Sequence, residues 1–412
     1  MIRASIVRMP TSIYLLSFCT ATAFTCASLL ITLSALIGFE LAPDKTLATL
    51  PIALQFLAVM SGSVPASMFM ARYGRRAGFM LAACIGIVGA LLALWAVINK
   101  VFWVFCVAAF LFGSFTAFSN FYRFAAVEAV DQEKKNRAIS YVMAGGVIAA
   151  FFGPNLANHS QDLFVSYPFA GAFVVLICVY LINLAVISRL QLPANHDLDN
   201  AAKAAGTAPL HEQGSSPGVR PLRQIVLQPV FIIAVICEMF GYGSMNLVMS
   251  STPLAMHANA HGMGSTAQVI QWHVVAMFLP SFFTGKLIDR FGIVAILLCG
   301  VMTGFLAVII NLTGQSFLHF VAGLVALGIA WNFLFVGGTT LLTTAYQPNE
   351  KNRAQAANDF VVFSFVTITA LSAGSLHHLF GWAFVNLSVV PLYLLTLLAI
   401  SWLVLIRREP SV

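Results

Sequence analysis

Apolar residues run through this chain in long stretches separated by short polar joints. Twelve such stretches occupy roughly 12–38, 47–70, 77–98, 101–125, 138–158, 166–188, 226–254, 267–288, 293–312, 317–346, 355–376 and 381–406. Each has about 20 residues or more, enough for a helix to cross a hydrocarbon core of about 30 Å. A transmembrane β-barrel would show shorter segments alternating with period two, and that alternation is missing. The pattern predicts an all-α polytopic membrane protein of twelve transmembrane helices. The first stretch is too long for a signal peptide and has no clear small-residue cleavage site, so it is expected to remain as helix one.

Composition agrees. The chain of 412 residues is 60% hydrophobic and 8% charged, with mean hydropathy +0.90. The net charge of +7 is placed rather than spread. Of the 21 Lys and Arg residues, only Lys45 and Lys100 fall in loops on one side, and Arg123 lies near a helix end. The rest mark the termini and alternate loops, which is the positive-inside pattern. It puts both termini in the cytoplasm and explains the basic charge by topology, with no nucleic-acid partner. All seven cysteines lie inside apolar stretches and do not read as a disulfide framework.

One stretch breaks the rhythm. Residues 192–222 are rich in Ala, Gly, Pro and polar side chains and read as a flexible cytoplasmic linker. They divide the chain into an N-terminal six-helix bundle, 1–191, and a C-terminal one, 223–412. The halves resemble each other. Ala71-Arg72-Tyr73-Gly74 answers Asp289-Arg290-Phe291-Gly292, Asn120-Phe121 answers Asn332-Phe333, and Lys135-Asn136-Arg137-Ala138 answers Lys351-Asn352-Arg353-Ala354. Paired six-helix repeats suit a two-lobed secondary transporter that rocks about a central site. On these residues the chain resembles the major facilitator superfamily. The loop pattern of that family, G-x-x-x-D-R-x-G-R-R, is well kept at Gly285–Gly292. In the first copy Ser67 and Ala71 replace Gly and Asp, while Arg72, Gly74, Arg75 and Arg76 remain. The resemblance implies gating roles for Arg72, Arg75, Arg76, Asp289 and Arg290, and leaves the first-copy latch in doubt. Gly145, Gly146, Gly153 and Pro154 loosely resemble the motif of drug antiporters.

Candidate chemistry lies in stretches seven and eight. Met245-x-x-x-Met249 and His273-x-x-x-Met277 each put two ligands on one helix face. Along their helices, Met245 and Met249 come about 22 and 28 Å from the inner end, and His273 and Met277 about 9 and 15 Å from the outer end. The pairs thus share a depth in the outer half. Thioether sulfur selects Cu(I), and imidazole suits copper as well. A Met-filled core gives the same spacing. Six of the fourteen methionines lie between 239 and 277. Met256, His257, His261 and Met263 form an expected outer loop that would meet an incoming ion first, and Cys237 is placed to receive one moving inward.

The paired motifs, with Asn120–Phe124 and Gln355–Phe360, resemble the CcoA-type bacterial copper importers. The resemblance implies that Met245, Met249, His273 and Met277 carry copper as the transported ion, with no cofactor held permanently. It also implies copper supply for cytochrome oxidase assembly, delivery to a cytoplasmic copper acceptor, and an inner-membrane location. A monomer is expected. A sister group imports riboflavin. For that alternative Trp272, Tyr242, Phe121, Tyr122, Trp331 and Asn332 would supply an aromatic, hydrogen-bonding cavity. A drug–proton antiporter and a non-transporting scaffold or sensor are the remaining readings. No nucleotide-binding loop is visible, so an enzyme or primary pump is not expected. Ionisable residues inside spans are costly and mark function. Arg123, Glu128 and Asp359 are expected at a cytoplasmic gate, and Glu238 as a carrier of a coupling proton or cation.

Overall fold

The computed structural model describes residues 9–130, 135–161, 163–192, 220–347 and 350–408, without the side chains of 127–128, 135–140, 143–144, 351–352 and 406–408. Most of the expected linker and the side chain of Glu128 lie outside the described residues. The N-terminal half holds α1 (Thr11–Leu41), α2 (Leu50–Tyr73), α3 (Arg75–Asn99), α4 (Phe102–Ser119), α5 (Tyr122–Glu128), α6 (Lys135–Ser160) and α7 (Ala170–Ser188). The C-terminal half holds α8 (Leu222–Val226), α9 (Pro229–Ala258), α10 (Met263–Phe278), α11 (Ser281–Phe291), α12 (Ile293–Thr313), α13 (Phe317–Leu342), α14 (Lys351–Ser388) and α15 (Val390–Arg408).

Among the described residues, nine helical stretches are long and apolar enough to cross a membrane. One of them, Arg353–Leu405, runs 53 residues, about twice what a single span needs. It turns at Gly381, whose φ of 78° lies outside the helical region. Two expected spans are missing from that set. The fifth stretch lies in α6, part of which falls outside the described side chains. The eighth stretch is broken at Leu279–Pro280 into α10 and α11, because proline lacks the N–H that a continuous helix requires. The fourth stretch is also broken, at Asn120–Phe121, between α4 and α5.

The repeat extends to the backbone. Gly74 and Gly292 have φ/ψ of 87°/155° and 82°/155°, so each copy of the loop turns through the same glycine-only conformation. The guanidinium before each joint lies over the next ring, Arg72 over Tyr73 at 5.3 Å and Arg290 over Phe291 at 5.2 Å. Buried residues fall mainly into two cores, one built from α1–α7 and one from α8–α15. Across the interface α6 packs on α10, α2 on α14 and α1 on α9.

Hydrogen bonds tie the two halves together at one end of the interface. On the orientation set by the basic loops, this is its outer end. Thr49 Oγ1 accepts from Gly374 N (2.8 Å), Ser375 Oγ donates to Thr46 O (3.0 Å), and Asn155 Nδ2 donates to Gln271 Oε1 (2.6 Å). The deepest lateral contacts are Phe24–Phe278, Phe56–Tyr242 and Ser364 Oγ to Met60 Sδ. Below them the inner half of α2 is open, with Val64 and Met68 64% and 68% exposed. Phe282, Phe283 and Phe360 are exposed as well.

On the cytoplasmic side one ion pair pins the chain just before α8 to the start of α14. Arg220 donates through Nε to Glu350 Oε1 (2.8 Å) and through Nη2 to Oε2 (2.6 Å). Main-chain N–H groups of Gln347 and Arg220 also reach the carboxylate. The Arg220 guanidinium first, then these N–H groups, hold the Glu350 carboxyl down at about 2. Because the carboxyl is depressed in the fold, its contribution to stability is full above the ordinary glutamate value of about 4.3 and fades as pH falls toward the folded value. The difference in melting temperature between the native chain and Glu350→Gln is therefore expected to be constant from neutrality to about pH 5, shrinking below it. A difference that grows on acidification would contradict the latch.

Candidate functional site

The site begins at the break in the eighth stretch. A helix interrupted in the membrane frees carbonyls that water cannot satisfy. Here Asn332 of α13 does so. Its Nδ2 donates to Met277 O (2.7 Å) and Ser281 Oγ (2.6 Å), and its Oδ1 accepts from Thr284 Oγ1 (2.6 Å). Asn332 therefore staples α10 to α11 rather than lining a cavity. Its partner in the sequence repeat, Asn120, is exposed, so the two copies have diverged in use.

Directly beside the staple stands Trp331. Its indole stacks on Phe335 (5.0 Å between centroids, 11° between planes) and meets Phe278 edge-on at 6.0 Å. Tyr242 of α9 meets Trp331, Phe335 and Phe363 edge-on at 5.6, 5.7 and 5.9 Å. Two rings of the other lobe close the circuit, Phe24 on Phe278 at 5.7 Å and Phe56 on Tyr242 at 6.3 Å. Seven aromatic rings thus span both lobes. Trp331 Nε1 is buried and has no partner, and buried donors of that kind are rare.

The other aromatic candidates are elsewhere. Tyr122 is fully buried in the N-terminal core against Asn183 (3.4 Å). Phe121 lies under Arg75 (5.5 Å), and Trp272 is exposed beside Phe151 near the outer end. Of the residues assigned to an aromatic cavity, only Tyr242 and Trp331 come together. Phe24, Phe56, Phe278, Phe335 and Phe363 carried no sequence signal, because the chain has 35 phenylalanines.

Met245, Met249, His273 and Met277 are all buried in the C-terminal core. His273 turns toward α13, with Nδ1 2.7 Å from Leu324 O, while its Nε2 has no partner. Cys237 lies about 80° round the helix from Met245, and Glu238, seven residues before Met245, is the side chain in phase with it. The expected stop at Cys237 is thus off the methionine stripe. The expected outer loop is also shorter than the sequence suggested. The last turn of α9 includes Met256, fully buried, and His257, beside Phe39. Met263 begins α10, and His261 Nε2 is held by Gln315 O at 2.9 Å. Met256 is thus packed in the core, while His257 stays exposed and His261 and Met263 are half-buried.

Several membrane glycines lie at close helix contacts. A side chain at Gly145 would strike the backbone of α1 at Ala21, and one at Gly153 would strike Ser28. Gly241 and Gly243 are pressed against Leu334 and Phe365. All four serve close helix approach.

At the cytoplasmic end, Arg76 Nη2 donates to Ser188 O and Arg123 lies over Phe124 at 4.9 Å. Asp359 feels the charge of Arg123 from the opposite lobe, while the side chain of Glu128 lies outside the described residues. Asp289 is exposed, and no close ion pair holds it among the described residues. Glu238 is buried, with Oε2 accepting from Asn358 Nδ2 at 2.9 Å.

The Major Facilitator Superfamily model matches residues 13–279 and again 236–412. The chain belongs to that superfamily. It is 37% identical over 400 residues to the riboflavin transporter RfnT of Brucella anthropi, covering 97% of this chain and 96% of that one. It is 27% identical to the uncharacterized MFS-type transporter YdeG of Bacillus subtilis, over 81% of this chain and 77% of that one. The fold is similar to that of a mutant of the nucleoside transporter NupG, with TM-score 0.73, 11% identity, and 95% and 99% of the two chains covered. The protein is a multi-pass secondary transporter of the bacterial inner membrane. None of these names concerns copper.

Proposed function

We propose that the chain takes up riboflavin, or a flat heteroaromatic solute of the same kind, by alternating access. The observation that carries this reading is the seven-ring circuit across both lobes, in a chain similar along almost its whole length to a riboflavin transporter. An isoalloxazine is planar and carries ring nitrogens and carbonyls. Stacking on aromatic faces would bind its plane, and Trp331 Nε1 would donate to one of its acceptors. Parting of Phe24 from Phe278 and of Phe56 from Tyr242 would open the circuit to the outside. The test is uptake of labelled riboflavin by proteoliposomes containing the purified chain, with growth rescue of a riboflavin auxotroph alongside. Saturable uptake competed by unlabelled riboflavin supports the reading, and a folded protein that does neither refutes it.

A second reading, a soft-metal importer with copper as cargo, rests on His273. Metal-binding imidazoles are commonly held by a carbonyl on one nitrogen with the other free, and Leu324 O leaves Nε2 in that state one turn from the buried Met277. This reading expects copper uptake lost in His273→Ala while riboflavin uptake persists. Riboflavin uptake without copper uptake excludes it.

A further inference from the structure

Glu238 is 2% exposed in the middle of α9. One carboxylate oxygen accepts from Asn358, but the other, Oε1, has no partner. Asn358 Oδ1 is also buried and unpartnered. The hydroxyl of Thr339 lies within reach of the Glu238 carboxylate, but its proton is directed to Phe335 O at 2.8 Å and Oε1 keeps no partner. The backbone of Gly338 lies close against the stem of Glu238. Two buried acceptors therefore face each other's neighbourhood with no donor between them. Left charged, such a carboxylate is expensive in a membrane.

Something must supply the missing donor. An alkali cation needs a cage of several oxygens, and the carbonyls of the surrounding helices are engaged in their own ladders. A proton needs one oxygen. Added to Oε1, it converts the carboxylate to the acid, cancels the charge and creates an O–H donor. Removal to water restores the carboxylate, with no other reactant.

The placement links this proton to movement. One turn along α9 lies Tyr242, the hub of the aromatic circuit. Asn358 Nδ2 also lies 3.3 Å from Asp359 Oδ1, and Asp359 feels Arg123 of the other lobe. Among the described residues, the titratable neighbours are Cys237 and Tyr242 on α9 and Asp359 on α14, and the facing stretch of α13 offers none. We propose that Glu238 is the proton-coupling group of the cycle. It is loaded in the outward-facing state together with cargo and is discharged to the cytoplasm in the inward-open state past Asn358 and Asp359. The inference rests on membership in a secondary-transporter family and not on the identity of the cargo.

Two measurements on the full chain in lipid decide it. In pH-difference infrared spectra, a protonated-carboxyl C=O band is expected that titrates, disappears in Glu238→Gln and moves to higher frequency in Asn358→Leu, where its hydrogen bond is lost. A spectrum unchanged in Glu238→Gln overturns the proposal. In proteoliposomes with riboflavin as probe, Glu238→Gln is expected to lose gradient-driven accumulation by about tenfold, an ordinary size for coupling between two ligands. Equilibrium exchange of riboflavin is expected to stay near native. Loss of both or of neither overturns the proposal. If the native chain moves no riboflavin, the proposed cargo falls, and the infrared result still decides Glu238.

Discussion

Trp331→Ala is expected to weaken riboflavin binding by about ten- to a hundredfold. Stacking of a heteroaromatic base on an aromatic side chain contributes about 1–3 kcal/mol, and about 1.4 kcal/mol is tenfold in Kd. Trp331 stands at the centre of the circuit, stacked on Phe335 and in edge contact with both Phe278 and Tyr242. Removing so large a buried ring also costs the fold about 3–5 kcal/mol, so a second variant is needed. Trp331→Phe keeps an aromatic face but removes the unpartnered N–H together with one ring of the indole. Its expected cost is a neutral hydrogen bond, about 0.5–1.5 kcal/mol, plus part of the stacking surface, and stays below that of Trp331→Ala. Quenching of flavin fluorescence on binding measures both. Native affinity in Trp331→Ala would remove the circuit from the binding site.

The second large effect is structural. Asn332→Leu is expected to destabilise the chain by about 1–3 kcal/mol, the cost of leaving one buried polar group unsatisfied. Met277 O would lose its donor at the break between α10 and α11, and no water is available there to replace it. Thr284 is less affected, because its hydroxyl is also 2.9 Å from Pro280 O. The repeat supplies the control. Asn120→Leu changes the equivalent residue of the first half, which is exposed, and should stay within about 0.5 kcal/mol. Thermal unfolding of both variants in detergent reads the contrast. Equal loss in the two would mean that the staple at Asn332 has no special part in stability.

The apolar helices and the repeated loop could be read from the chain because each rests on local composition. Twenty apolar residues must cross a bilayer whatever surrounds them, and basic loops report topology one by one. The loop glycines were legible for the same reason: the repeated Arg-x-Gly at Arg72–Gly74 and Arg290–Gly292 demands the same turn in each copy. Glu238 was legible as a charge out of place.

Packing direction was not legible. Met245, Met249, His273 and Met277 share helical spacing with any buried face, and spacing does not say which neighbour a side chain meets. Only the tertiary structure showed His273 committed to Leu324, Met256 buried in the last turn of α9, and Cys237 off the stripe. The aromatic circuit was hidden for a different reason. Its rings come from α1, α2, α9, α10, α13 and α14, and rings that lie far apart in sequence meet only when two lobes close on each other. Sequence alone therefore determined an all-helical, multi-pass membrane transporter. The tertiary structure decided which residues face the centre, because contact between helices depends on their relative rotation.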